Sequence, residues 1–117
     1  IATVHFAFDF MKNEKAIING LLTFQKYCPV DSRNATVYML TNYDTTLEED
    51  IYRVRKIQEC GFQPDVRVYR KQTAPRSVRD LQRWCNNRFL YRSCKLEDYA
   101  PRKDGKTFKE LYMRKED

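Results

Sequence analysis

Glycine and proline are scarce, with three and four among 117 residues, and histidine occurs once. With so few glycines there is no GxGxxG and no GxxxxGK followed by Ser or Thr, so phosphate cradling by a glycine loop has no support. A Cys–His or Ser–His–Asp mechanism would depend on His5 alone, which falls mid-strand and reads as a packed strand histidine. No stretch approaches the run of about 20 apolar residues that a spanning helix needs. Charged residues at 32% and a mean hydropathy of -0.76 agree, so no membrane association is expected. No basic-then-apolar leader is visible, and the chain opens at Ile1 without an initiator Met, so it reads as the interior of something longer. The four cysteines, Cys28, Cys60, Cys85 and Cys94, match no common zinc or cluster spacing. An even count would permit two disulfides. Three of the four, however, fall inside or at the ends of helical patterns, where reduced, half-buried thiols are usual, and the expected setting is reducing and cytoplasmic.

What is present is one domain's worth of chain, 42% apolar and with 15 Tyr or Phe and one Trp. Thr3 to Phe10 alternates and is rich in aromatics, as a strand would be. Asn13 is placed to cap a helix carrying Ala16, Ile17, Leu21, Phe24 and Cys28 at helical spacing, closed by Pro29, with a turn over Asp31 to Asn34. Thr36 to Leu40 is an apolar run without clean alternation, which suits a strand buried on both faces, as parallel strands are. Thr46 and Glu49 form a capping box, and acids at 48, 49 and 50 complement the helix dipole. Leu47, Ile51, Val54, Ile57 and Cys60 make the buried stripe of that helix, and Gly61 ends it in the left-handed conformation. Asp65 to Tyr69 reads as a third strand. Ser77 with Asp80 repeats the capping logic ahead of Val78, Leu81, Trp84 and Cys85. Arg88 and Arg92 would interrupt that stripe, so the helix is expected to stop near Asn86-Asn87, with Phe89 to Ser93 a short strand. The expected fold is therefore α/β, three consecutive βα units on a parallel sheet over residues 1–99, followed by a flexible polar tail over 100–117. Three strands alone leave two unpaired edges, so further strands or a partner should cover them.

Ligands of parallel α/β sheets gather at the carboxyl ends of the strands. Here those ends carry Asp9, then Thr41-Asn42-Tyr43-Asp44, then Tyr69-Arg70-Lys71. Carboxylates can accept from hydroxyls and ammonium, and a cation can meet a carboxylate, which suits a ribose or an amino-acid substrate. The plainer reading is that Asp9, Asn13 and Asp44 cap helices and turns.

The run Tyr38 to Asp50, YMLTNYDTTLEED, resembles a late strand and loop of radical SAM enzymes, where a hydrophobic strand, a short loop and Thr-x-Glu-Glu-Asp open a helix. The continuation from Gly61-Phe62 through Val66 to Tyr69 and Ala74-Pro75 is similar too, and Leu81 to Phe89 resembles the ending of one radical SAM subgroup. The resemblance covers roughly residues 1–99 and implies the C-terminal half of a partial (β/α)6 barrel of TIM type. It implies S-adenosylmethionine (SAM) as cofactor, with Asp9 meeting its ribose or methionine end, residues Tyr38 to Asn42 beside the adenine, Val68-Tyr69 closing the pocket, and Asp44 among the contacts. The CxxxCxxC motif that defines the family is missing, and Thr41, Asn42 and Asp44 stand where the family often has glycines. A 4Fe–4S cluster is accordingly expected only in a full-length parent, and the isolated chain is expected to be inactive. The partner implied is a missing N-terminal half, or a self-associating partner at the open sheet edge.

Net charge is +6, and from Val66 to Lys95 nine Lys or Arg face one acid, Asp80. This motivates an alternative from another class, a nucleic-acid-binding or assembly module without catalysis, with Arg67, Lys71, Arg79, Arg83 and Arg88 as phosphate or substrate contacts. Steep weakening with salt would mark phosphate tracking, whereas an adenine pocket would not show it. The same basic run also reads as a solvated face.

Overall fold

The computed structural model describes residues 4–9, 11–28 and 35–113. The side chain of His5, the helix stop at Pro29, the turn over 31–34 and the last four residues lie outside that description. Three strands, β1 (Val4–Ala7), β2 (Ala35–Thr41) and β3 (Gln63–Val68), form an all-parallel sheet in the order β1-β2-β3. Helix α1 (Glu14–Tyr27) joins β1 to β2, and α2 (Leu47–Glu59) joins β2 to β3. After β3 come α3 (Arg76–Asn86) and a short α4 (Arg88–Ser93). The chain is thus α/β, built from consecutive βα units.

Register places Phe6 beside Val37 and Met39 beside Val66, and this face of the sheet holds the core. Phe6 meets Phe24 of α1 edge-on at 5.2 Å, while Val54 and Ile57 of α2 and Leu81 and Trp84 of α3 complete the cluster. Burying each such side chain contributes about 1.5–3 kcal/mol. Helices α1 and α2 are neighbours, joined by Gln25 Nε2 donating to the Cys60 carbonyl at 2.9 Å and by Tyr52 hydroxyl donating to Glu14. All three long helices therefore cover one face. Consecutive right-handed βα units with adjacent strands place their helices this way, in a barrel segment and in one half of a doubly wound sheet alike. The other face carries Thr36, Tyr38, Leu40, Gln63, Asp65 and Arg67, with the Arg67 guanidinium 5.4 Å from the Tyr38 ring centre.

The two sheet edges differ. Tyr69 N–H donates to Thr41 O, so odd-numbered β3 residues point their backbone groups at β2 and even-numbered ones point outward. Pro64 sits at an outward position and has no N–H to offer. At Val66 the Asn86 side chain of α3 accepts from the N–H at 2.8 Å and donates to the carbonyl at 3.0 Å, joined there by Gln82 Nε2 at 3.0 Å. The β3 edge is thereby blocked at its centre. On β1, Phe8 N–H donates to Tyr38 O, so the backbone groups of residues 5 and 7 point away from β2, and no described strand pairs with them.

The capping box at Thr46 and Glu49 is present, and Gly61 has φ 85° as a left-handed helix end requires. Other local expectations need correction. Asn13 makes no side-chain cap: it closes a 3-10 turn over Met11–Asn13, with φ -96° and ψ 6° in place of the extended backbone of a capping residue. Ser77 does not cap α3, which starts one residue earlier with Val78 and Arg79 bonding the Pro75 carbonyl. Asp80 instead turns inward. The segment Phe89–Ser93 is helical, not a strand, because the Asn87 side chain accepts from Leu90 N–H and starts α4 directly where α3 stops. Tyr91 then points in, donating to the Phe62 carbonyl at 3.0 Å, and Phe89 points out.

The expected polar tail packs back over 100–113. Phe108 is fully buried in the same core as Trp84 and Tyr99. Tyr112 hydroxyl donates to Asp80 at 2.6 Å and accepts from Arg102 at 2.6 Å. Asp80, buried in α3, is the polar anchor of this segment.

Candidate functional site

At the carboxyl ends of β1 and β2 lies a cleft of about 360 Å³ lined by Asp9, Met11, Lys12, Tyr43, Asp44, Thr45 and Glu49. The loop over 42–46 shapes it. Asn42 and Asp44 both adopt positive φ, 62° and 56°, which short polar side chains tolerate better than most residues. Asp9 Oδ1 accepts from Leu40 N–H at 2.9 Å, so the acid is held against β2, and a carboxylate has further acceptor sites to present. Glu49 Oε1 is engaged with Thr46 N–H in the capping box. Three carboxylates and one lysine give the cleft a negative balance.

The predicted cofactor residues separate into two groups. Asp9 and Asp44 converge on the cleft. Tyr69 reaches its rim through Tyr43, the rings meeting edge-on at 4.8 Å with both side chains exposed. Asn42 is turned the other way: its Nδ2 donates to the Tyr69 carbonyl at 3.2 Å and ties the β2 loop to the end of β3. Arg70, also at positive φ, lays its guanidinium 5.3 Å from the Tyr69 ring. Side chains of Tyr38 and Leu40 lie on the face of the sheet opposite the core.

The basic residues are distributed over β3, the turn after it, α3 and α4. Arg67 is paired with Asp65 at 3.1 Å and stacked on Tyr38, with the ion pair holding its pKa above the ordinary value. Lys71 lies in the 3-10 turn after β3, Arg79 and Arg83 are exposed on α3, and Arg88 lines a separate groove of about 220 Å³ beside Thr36, Gln63 and Asn86. The cysteines are all free thiols. Burial pushes the Cys85 thiol well up and raises Cys60, so both are held as thiols and not thiolates. Among the described residues no three His, Cys, Asp or Glu side chains converge to hold a metal, and no helix is long and apolar enough to cross a membrane.

Beneath the cleft is a group that sequence reasoning missed as part of the site. Asp50 and Arg53 of α2 form a buried pair at 2.6 Å, with Arg53 wholly inaccessible. Burial raises the Asp50 pKa, an effect that Thr45 and Arg53 oppose through hydrogen bonds to the ionised form. The signal was there. Positions 50, 53, 54 and 57 share one helical face, so an acid and a base three apart fell within the apolar stripe. Compared with protein-family models, with curated proteins and with solved structures, the chain shows no match.

Proposed function

We propose that this chain is the C-terminal half of a radical SAM barrel, and that its cleft contributes contacts to S-adenosylmethionine. The observation that carries the reading is the convergence of Asp9 and Asp44 at the carboxyl ends of adjacent parallel strands, in a sheet whose connecting helices lie on one face. SAM carries a sulfonium, an ammonium and two ribose hydroxyls. A cleft with a negative balance suits those cations, and Asp9 and Asp44 are acceptors for the hydroxyls. The exposed edges of Tyr43 and Tyr69 offer an apolar wall for adenine. The blocked β3 edge, and a side of β1 that no described strand pairs, agree with a barrel that continues on the β1 side.

The group therefore fits the residues present, and when bound it would supply the sulfonium whose cleavage defines radical SAM chemistry. The described cysteines provide no ligand set for a 4Fe–4S cluster, so no step is assigned through one. What this chain contributes is recognition.

The test is equilibrium dialysis of the chain with radiolabelled SAM, alongside Asp9→Asn and Asp44→Asn. Asp9→Asn keeps an oxygen for Leu40 N–H while removing the charge. Saturable binding by the parent chain and a loss of about tenfold or more in each variant is expected, a difference of about 1.4 kcal/mol. No binding by the parent chain, or equal binding by all three, would falsify the reading.

A further inference from the structure

We propose that the buried Asp50–Arg53 pair is the positioning device of the cleft, fixing the backbone that leads into Asp9 and the loop on either side of Asp44; as a role in ligand binding, this rests on the cleft being the site proposed above. Arg53 reaches two strands at once. Its Nη1 donates to the Phe8 carbonyl at 2.8 Å, and its Nη2 donates to the Leu40 carbonyl at 2.8 Å and to Asp50 Oδ1 at 2.6 Å. Phe8 precedes Asp9 in the chain, and Leu40 is the residue whose N–H Asp9 holds. A closed circuit results: Asp9 to Leu40 N–H, Leu40 carbonyl to Arg53, Arg53 to Phe8 carbonyl, and back along the chain to Asp9.

Asp50 does the same for the other wall. Its Oδ2 accepts from Asn42 N–H at 3.3 Å and its Oδ1 accepts from Thr45 hydroxyl at 2.8 Å. These two contacts bracket Tyr43 and Asp44, in a loop that contains two residues at positive φ. Such conformations persist where surrounding contacts over-determine them. One acid–base pair thus sets the separation of the two carboxylates that a ligand would meet.

Energetics support a positioning role. A buried ion pair gains little over well-packed apolar residues of the same size. Among the described residues the Arg53 Nε finds no partner, a cost that stability alone does not explain. The planar fork of arginine is what allows contact with two carbonyls and a carboxylate together, and the single ammonium of lysine cannot span them.

The experiment is residue-resolved amide hydrogen exchange by NMR on the full chain and on Arg53→Lys, with SAM affinity measured in parallel. Arg53→Lys keeps the charge opposite Asp50, so the fold has the best chance of surviving; the double variant Asp50→Asn with Arg53→Met, which leaves no buried charge, serves if it does not. Leu40 and Asn42 amides, bonded to Asp9 and Asp50, should exchange at least about tenfold faster, while Ile57 and Val66 stay within about twofold of the parent. Selective loss at those two amides with weaker SAM binding supports both the device and the cofactor. The same selective loss in a chain that never binds SAM upholds the device and removes the SAM reading. Uniform acceleration across the four amides, or none, overturns the proposal, because it makes the pair a general stability element.

Discussion

Replacing Asn86 with alanine should destabilise the chain and open its sheet to self-association. Val66 is fully buried, yet it lies on an edge strand, and its outward N–H bonds to Asn86 Oδ1 at 2.8 Å. The alanine variant leaves that N–H with no partner, at a cost of about 1–3 kcal/mol for a donor shielded from water. The Val66 carbonyl loses Asn86 Nδ2 but keeps Gln82, so its share is small. Alanine at the last position of α3 offsets about 0.5 kcal/mol through its higher helix propensity. The net loss is therefore about 1–2 kcal/mol, or a fall of roughly 4–8 °C in Tm for a chain this size. Asn86→Asp restores an acceptor for the N–H but not the donor for the carbonyl, so its Tm should lie between the two. Thermal melts followed by circular dichroism give the ranking, and sedimentation velocity over a concentration series reports pairing at the newly exposed edge. A Tm for Asn86→Ala within a degree or so of the parent, with no concentration dependence, would refute the claim that this side chain terminates the sheet.

Two further outcomes are expected. Phe108→Ala should cost about 3–5 kcal/mol in urea unfolding, as removing a fully buried phenyl ring does; a loss under about 1 kcal/mol would mean that residues 100–113 do not complete the core. Burial raises the Cys85 thiol above its ordinary 9.0 and the Tyr91 phenol above its ordinary 10.0. The unfolded chain releases these protons at the ordinary values while the folded chain keeps them, so stability is full below about pH 9 and falls as pH rises beyond it. Urea midpoints should therefore decline above about pH 9, and Cys85→Ala with Tyr91→Phe should flatten that decline; a slope that survives both substitutions assigns it to other groups.

Much of the architecture was legible because its causes are local. The Thr46–Glu49 box, the acids that follow it and the left-handed turn at Gly61 all act within four residues of the helix end they define, and each is present. The βα order likewise follows from periodicity, and consecutive units of this kind make a parallel sheet. Asp9 and Asp44 could be named as cleft residues because strand ends were identifiable, and a parallel sheet brings its carboxyl ends together. Where local cues competed, the reading failed. Ser77 and Asp80 have the spacing of a capping box, but Pro75 had already started the helix, and Asn87 offered Leu90 a cap that starts a second helix where Arg88 and Arg92 interrupt the stripe of the first.

What only the tertiary structure decided is the use of polar residues whose partners lie far along the chain. Asp80 finds Tyr112 32 residues away, Gln25 finds Cys60 35 residues away, and Arg53 finds Phe8 at a separation of 45. Asp50 looks in sequence like one more acid at a helix N-terminus, and burial made it half of the pair under the cleft. Periodicity tells which side of an element faces inward. It cannot tell which carbonyl, hydroxyl or carboxylate will be waiting there, because that depends on how distant segments meet, and a buried polar group without a partner is too costly to leave to chance.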